Sequence, residues 1–258
     1  MRKKYKLLSL LVPLWFLFSC IPQTSVVEAD IPIRDYAAGR FDPSTNGYFV
    51  DIRTLGIPAQ GRQMLRREAA EALKRMRDDL AKDMPFMPFI VLSATRTFDD
   101  QKRIWDNKFN GRTRVGGLDL SKAVPDERER AFRILEFSSM PGTSRHHWGT
   151  DVDINALNND YFRSGKGKRL HVWLVKHAAR YGFCQPYSAG RAAGYAEERW
   201  HWSYMPIAGK MQKCWNDAYG RTPSLLLKQT SFAGAEASID RAPFYVNAVA
   251  QCPSVPAR

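Results

Sequence analysis

Cysteine is scarce in this chain of 258 residues, with four in all. Three of them, Cys184, Cys214 and Cys252, lie 30 and 38 residues apart, spacings that exclude a Cys-x-x-Cys zinc cluster. A set of three closes at most one intramolecular disulfide, and nothing in the spacing selects the pair. Long apolar runs are equally rare. Only Leu7 to Phe18 qualifies, and it falls short of the roughly 20 residues of a transmembrane helix. There is no internal repeat, no low-complexity tract, no nucleic-acid-binding motif, and no nucleophile elbow that would make Ser144 the centre of a Ser-His-Asp site. Acidic residues are too few to balance the basic ones, 26 against 39, which leaves a formal charge of +13.

What is present begins with Met-Arg-Lys-Lys-Tyr-Lys and the apolar run behind it, the charged n-region and h-region of a secretory signal over residues 1–19. Leu17-Phe18-Ser19-Cys20 resembles a bacterial lipobox, in which cleavage leaves a lipid-modified Cys20. Export is therefore the expectation, as a cell-envelope lipoprotein in the periplasm or on the outer face of the membrane. Losing Arg2, Lys3, Lys4 and Lys6 with the signal lowers the formal charge from +13 to +9. In an exported chain such a basic surface suits an acidic polymer or anionic lipid rather than nucleic acid. Scattered prolines, Pro22, Pro32 and Pro43, without a sustained period predict a lipidated cysteine and tether over 20–47. The main domain is expected over 48–204, with 205–258 an extension of unassigned role.

Within the main domain, Met64, Leu65, Ala69, Ala72, Leu73, Met76 and Leu80 recur at helical spacing, predicting an amphipathic helix over 60–82. Phe89-Ile-Val-Leu92 reads as a buried strand that delivers Ser93 to Arg96 at its end. Helices are predicted from Asp99 or Asp100 through Phe109, from about Pro125 through Leu135, and over 169–180. Val152 and Ile154 alternate with Asp151 and Asp153, so one strand buries its aliphatics and turns two carboxylates the other way. Glu198 to Tyr204 reads as a final strand. Strands and helices do not alternate regularly, which predicts an α+β fold with a mainly antiparallel central sheet, flanking helices and a cleft on the sheet.

Two blocks carry the chemistry: Ser-Arg-His-His-Trp-Gly-Thr-Asp-Val-Asp-Ile, 144–154, and Glu-Arg-Trp-His-Trp, 198–202. His146, Asp153 and His201 form the three-ligand set that catalytic zinc takes while leaving a fourth position for water. Glu198, near the metal but outside the set, supplies a general base. On a regular strand, residues three apart face opposite ways, so Glu198 shares a cleft with His201 only if the chain bends between them or Glu198 precedes the strand. Asp151 is either an alternative ligand or part of a modified metal surround. His147 either replaces His146 through a shift of loop register, supports the ligands by hydrogen bonding, or lines the entrance of the cleft. His171 and His177, without acidic company, read as structural.

These blocks resemble the zinc D-alanyl-D-alanine carboxypeptidases and dipeptidases of the VanY/VanX type. That family's Ser-x-His-x-x-Gly-x-Ala-x-Asp and Glu-x-x-His are matched by Ser144, His146, Gly149, Asp153, Glu198 and His201. Asp151 stands in the alanine place. Ser93-Ala-Thr-Arg-Thr97 followed by Gln101 is similar to the family's Ser-x-Tyr-Arg-Ser segment, whose arginine contacts substrate. The resemblance implies a zinc peptidase acting on peptidoglycan stem peptides, most simply a D,D-carboxypeptidase removing terminal D-alanine. Arg96 would steady the oxyanion or the substrate carboxylate, with Ser144 and Gln101 as substrate contacts. The same chemistry serves dipeptidases and wall endopeptidases. A non-catalytic wall-binding lipoprotein is the rival from another class, and retention of Glu198 speaks against it.

Overall fold

The computed structural model describes residues 30–252. The expected signal segment, the expected lipid site at Cys20 and the first part of the expected tether lie outside the described residues. In chain order the elements are α1 Ile33–Ala38, β1 Phe49–Asp51, β2 Met64–Arg66, α2 Arg67–Asp83, β3 Val91–Ser93, α3 Phe98–Phe109, α4 Leu120–Ala123 and α5 Glu127–Leu135. Then follow β4 Asp151–Ile154, α6 Gly165–His177, β5 Phe183–Cys184, β6 His201–Tyr204, α7 Met205–Trp215, α8 Ala235–Ser238 and α9 Ala242–Asn247. The central sheet has the order β3-β4-β6-β5 with every pairing antiparallel, and β1 and β2 form a separate antiparallel pair. The fold is α+β, as the sequence pattern predicts.

Strand alternation divides the molecule into two cores. Val152, Ile154 and Trp202 point to one side, where α2 presents Ala69, Leu73, Met76 and Leu80 and α6 presents Leu170, Trp173 and Leu174. The opposite side of β4 and β6 carries Asp151, Asp153, His201 and Ser203, all buried. A second core of α1, α3, α5 and α7, centred on Trp105, Trp148 and Trp215, closes that flank. Polar residues thus occupy one face of the sheet because the aliphatics between them claim the other.

Two boundaries differ from the sequence expectation. Residues 33–38 are no tether: α1 is packed into the second core, with Tyr36 fully buried and its hydroxyl donating to the Trp148 carbonyl at 2.9 Å. Trp148 Nε1 returns a bond to the Ala37 carbonyl at 3.1 Å. The segment after Tyr204 likewise belongs to the fold, because Ile207, Met211, Trp215, Leu226 and Val246 enter the same core. Trp215 Nε1 donates to the Gly142 carbonyl at 2.7 Å and so holds the loop leading to His146. A Cys184–Cys252 disulfide fastens the end of this segment to β5, and Cys214 is buried outside that disulfide.

Helix starts also follow local chemistry. Thr97 caps α3 in a reciprocal box: its hydroxyl accepts from the Asp100 N–H at 3.1 Å and the Asp100 carboxylate accepts from the Thr97 N–H at 3.1 Å. The helix therefore opens one residue earlier than Asp99, fixing the chain next to Arg96. Asp126 caps α5, and Pro125 sits just before the helix rather than in its first turn.

Candidate active site

The metal loop begins after Pro141-Gly142 and passes through a 3-10 turn, Arg145–Trp148, into β4. Gly149 makes the return. It sits at φ 69°, and a Cβ there would lie 2.4 Å from the Phe49 ring, so both conformation and space select glycine. In the β4–β6 ladder Asp153 pairs with His201 and Asp151 with Ser203. Glu198 precedes β6, and the His201 N–H reaches the Glu198 carbonyl at 3.3 Å. That placement resolves the three-residue geometry: Glu198 stands outside the strand.

His146, Asp153 and His201 each offer a ligand atom, and those atoms all lie within 4.8 Å of one another. His146 Nδ1 lies 2.7 Å from the Ala94 carbonyl. A carbonyl only accepts, so Nδ1 carries the proton and Nε2 turns its lone pair toward Asp153 Oδ2, 3.3 Å away. His201 is the mirror case. Its Nε2 lies 2.8 Å from Asp151 Oδ2, which leaves Nδ1, in the neutral ring, facing Asp153 Oδ1 at 3.1 Å and Glu198 Oε2 at 3.5 Å. Asp153 Oδ1 is buried and accepts no well-formed hydrogen bond among the described residues. Lone pairs converging on one point repel unless a cation lies between them, so the donor set fits a metal of zinc's preferences. Burial alone would lower the His201 pKa, but Asp151 and Asp153 beside the ring raise it to about 9. Burial also opposes the Asp153 carboxylate, yet His146, His201 and Arg96 hold it well below the usual range.

The groups around this centre are charged and partly enclosed. Burial raises the Glu198 pKa to about 7, with Asp153 adding to the shift while His201, Arg96 and Lys108 work against it. Arg96 donates from Nη2 to Asp153 Oδ2 at 2.6 Å, from Nε to Ser93 Oγ at 2.8 Å and from Nη1 to Gln101 Oε1 at 3.2 Å. Two of its five N–H groups remain for a ligand. These side chains open into a cleft of about 540 Å³ whose lining includes Ser144, Phe137, Leu157 and Trp200. Lys108, on the same wall, was not anticipated from sequence. Burial lowers its pKa, and its ammonium donates to Ser138 Oγ at 2.5 Å.

Gln101, expected as a substrate contact, is 1% exposed and spends both ends of its amide on protein, accepting from Arg96 and donating to the Ser139 carbonyl at 2.8 Å. Its geometry suits orienting Arg96. His147 is likewise committed: Nδ1 lies 2.8 Å from the Arg96 carbonyl and Nε2 accepts from the Gly142 N–H at 3.0 Å. With burial lowering its pKa to about 3 it stays neutral and pins the metal loop to the Arg96 segment. His171 bonds Gln185 and His177 stacks on Trp173, both away from the cleft.

The sequence profile of the VanY family, described as D-alanyl-D-alanine carboxypeptidase, matches residues 62–207. The chain belongs to this family. Among individual proteins it is similar to a D-alanyl-D-alanine carboxypeptidase of Enterococcus faecalis, 31% identical over 120 residues, covering 46% of this chain and 40% of the relative. It is also similar to the putative carboxypeptidase YodJ of Bacillus subtilis, 28% identical over 152 residues, covering 56% and 47%. The chain thus spans less than half the length of either relative. A solved structure of the LD-carboxypeptidase LdcB aligns with TM-score 0.48 and 24% identity over 69% of this chain and 76% of that one.

Proposed function

We propose that this chain is a zinc-dependent peptidoglycan peptidase, a D,D-carboxypeptidase that removes the terminal D-alanine of stem peptides. The observation that carries the reading is the convergence of His146 Nε2, His201 Nδ1 and Asp153, with Glu198 beside them and outside the ligand set. Zinc bound there would polarise the scissile carbonyl and acidify a water. Glu198 accepts a proton from the attacking water at its carboxylate and returns it to the departing amine, a task matched to a pKa of about 7. The free N–H groups of Arg96 meet the developing oxyanion or the terminal carboxylate, and Lys108 adds a second cation on the same wall. Ser144 lines the cleft as a further contact, while Phe137, Leu157 and Trp200 keep water from its rim. The chain is exported and carried on the cell envelope by a lipid on Cys20, following the signal and lipobox pattern.

The test is incubation of the purified protein with a disaccharide pentapeptide, with and without chelator, and mass spectrometry of the products. Loss of one alanine, abolished by chelator, is the expected result. Release of an internal fragment would instead identify an endopeptidase, and no cleavage would favour a wall-binding protein.

A further inference from the structure

The family pattern has alanine where this chain has Asp151, and the second carboxylate has a defined place. Asp151 is fully buried, yet it does not belong to the cluster of convergent ligand atoms. Its register position, opposite Ser203 and diagonal to His201 across the β4–β6 ladder, sets it behind the His201 ring rather than in front of it. Four donors reach its oxygens. Thr150 Oγ1 and Ser203 Oγ donate to Oδ1 at 2.6 and 2.9 Å, and Arg145 Nε and His201 Nε2 lie 3.2 and 2.8 Å from Oδ2. Arg145 is held in turn. It is 2% exposed, donates from Nη2 to Ser203 Oγ at 2.7 Å and lies over the Trp148 ring at 4.9 Å.

We infer that Asp151, fixed by Arg145, is a positioning residue for the metal centre: it holds the His201 proton on Nε2 and aims the Nδ1 lone pair at the metal. This rests on the zinc reading above. A carboxylate with all its acceptor sites filled has no lone pair left for a metal, so Asp151 is not an alternative ligand. Its charge, transmitted through the Nε2–H bond, makes His201 a stronger donor. Arg145 prevents the carboxylate from rotating and offsets a second buried negative charge close to Asp153.

The test compares zinc dissociation constants, measured by chelator competition, for the wild-type protein, Asp151→Asn and the double variant Arg145→Met, Asp151→Ala. The double variant guards against misfolding, because it removes both buried charges and restores the family's alanine. Both variants are expected to bind zinc roughly 10- to 100-fold more weakly while the metal-free unfolding midpoint of the double variant stays near that of wild type. The zinc-loaded wild type should also show a slowly exchanging downfield proton resonance from His201 Nε2–H that the double variant lacks. A merely structural Asp151 would move the unfolding midpoint and leave both zinc affinity and this resonance alone. Tight zinc binding in wild type with equal affinity in both variants overturns the inference by itself, whereas no tight binding in wild type overturns the zinc reading with it.

Discussion

Replacing Glu198 by glutamine separates its two properties, a proton acceptor and a buried carboxyl, because the amide keeps the shape and cannot ionise. As a general base Glu198 is expected to contribute about two to four orders of magnitude to turnover, so Glu198→Gln should lose that much activity while retaining zinc. The second property is measurable without any substrate. Folding raises the Glu198 pKa from 4.5 to about 7, and at about 1.4 kcal/mol for each unit this corresponds to about 3 kcal/mol. Because the folded-state pKa is the higher one, its stabilising contribution is full below pH 4.5 and is lost as the pH rises through 7. Glutamine has no such loss. Denaturant unfolding of the chelator-treated proteins across pH 4 to 8 should therefore show Glu198→Gln gaining on wild type by up to about 3 kcal/mol between pH 4.5 and 7. The neighbouring groups titrate in both proteins, so the difference between the curves reports mainly on residue 198. Parallel curves throughout that window would refute the burial argument, and near-normal turnover by the variant would refute the base.

Alanine at His146, Asp153 or His201 should sharply reduce zinc content in metal analysis, with Asp153→Ala the severest test because its carboxylate lies between the two imidazoles. If Arg96 clamps a terminal carboxylate, Arg96→Ala and amidation of the substrate C-terminus should each weaken kcat/KM without adding, since they remove one interaction; loss on mutation alone assigns Arg96 to the oxyanion. Lys108→Met should raise KM for free-acid peptides more than for amidated ones, and equal effects on both would remove Lys108 from carboxylate recognition. Cys252→Ser opens a loop closed across 68 residues, for which the chain-entropy model gives about 4 kcal/mol. Its unfolding in denaturant should match that of the reduced wild-type protein.

The strand carrying the two aspartates was legible because Val152 and Ile154 alternate with them, the period of a pleated strand with one apolar and one polar face. His146, Asp153, Glu198 and His201 stood out through spacing within two short blocks. What was hidden depends on contacts remote in sequence. Tyr36 is anchored by the Trp148 carbonyl 112 residues away, and the prolines around α1 imitate a tether when that contact is unseen. The task of Asp151 needs the ladder register that sets it behind His201. Lys108 was missed because a lysine on a helix reads as solvated. A signal did exist: Gln101, Ile104 and Lys108 follow Arg96 at helical spacing and share the face that lines or supports the cleft. The Cys184–Cys252 pairing had no local signal at all.

The most direct measurement is the rate of free D-alanine release from a pentapeptide as zinc is titrated into the chelator-stripped protein. No release is expected without metal, followed by a linear rise that ends at one zinc per chain, with no recovery for Asp153→Ala at the same concentrations. Release that persists in the stripped protein, or that Asp153→Ala recovers equally, would contradict a metal centre built from His146, Asp153 and His201.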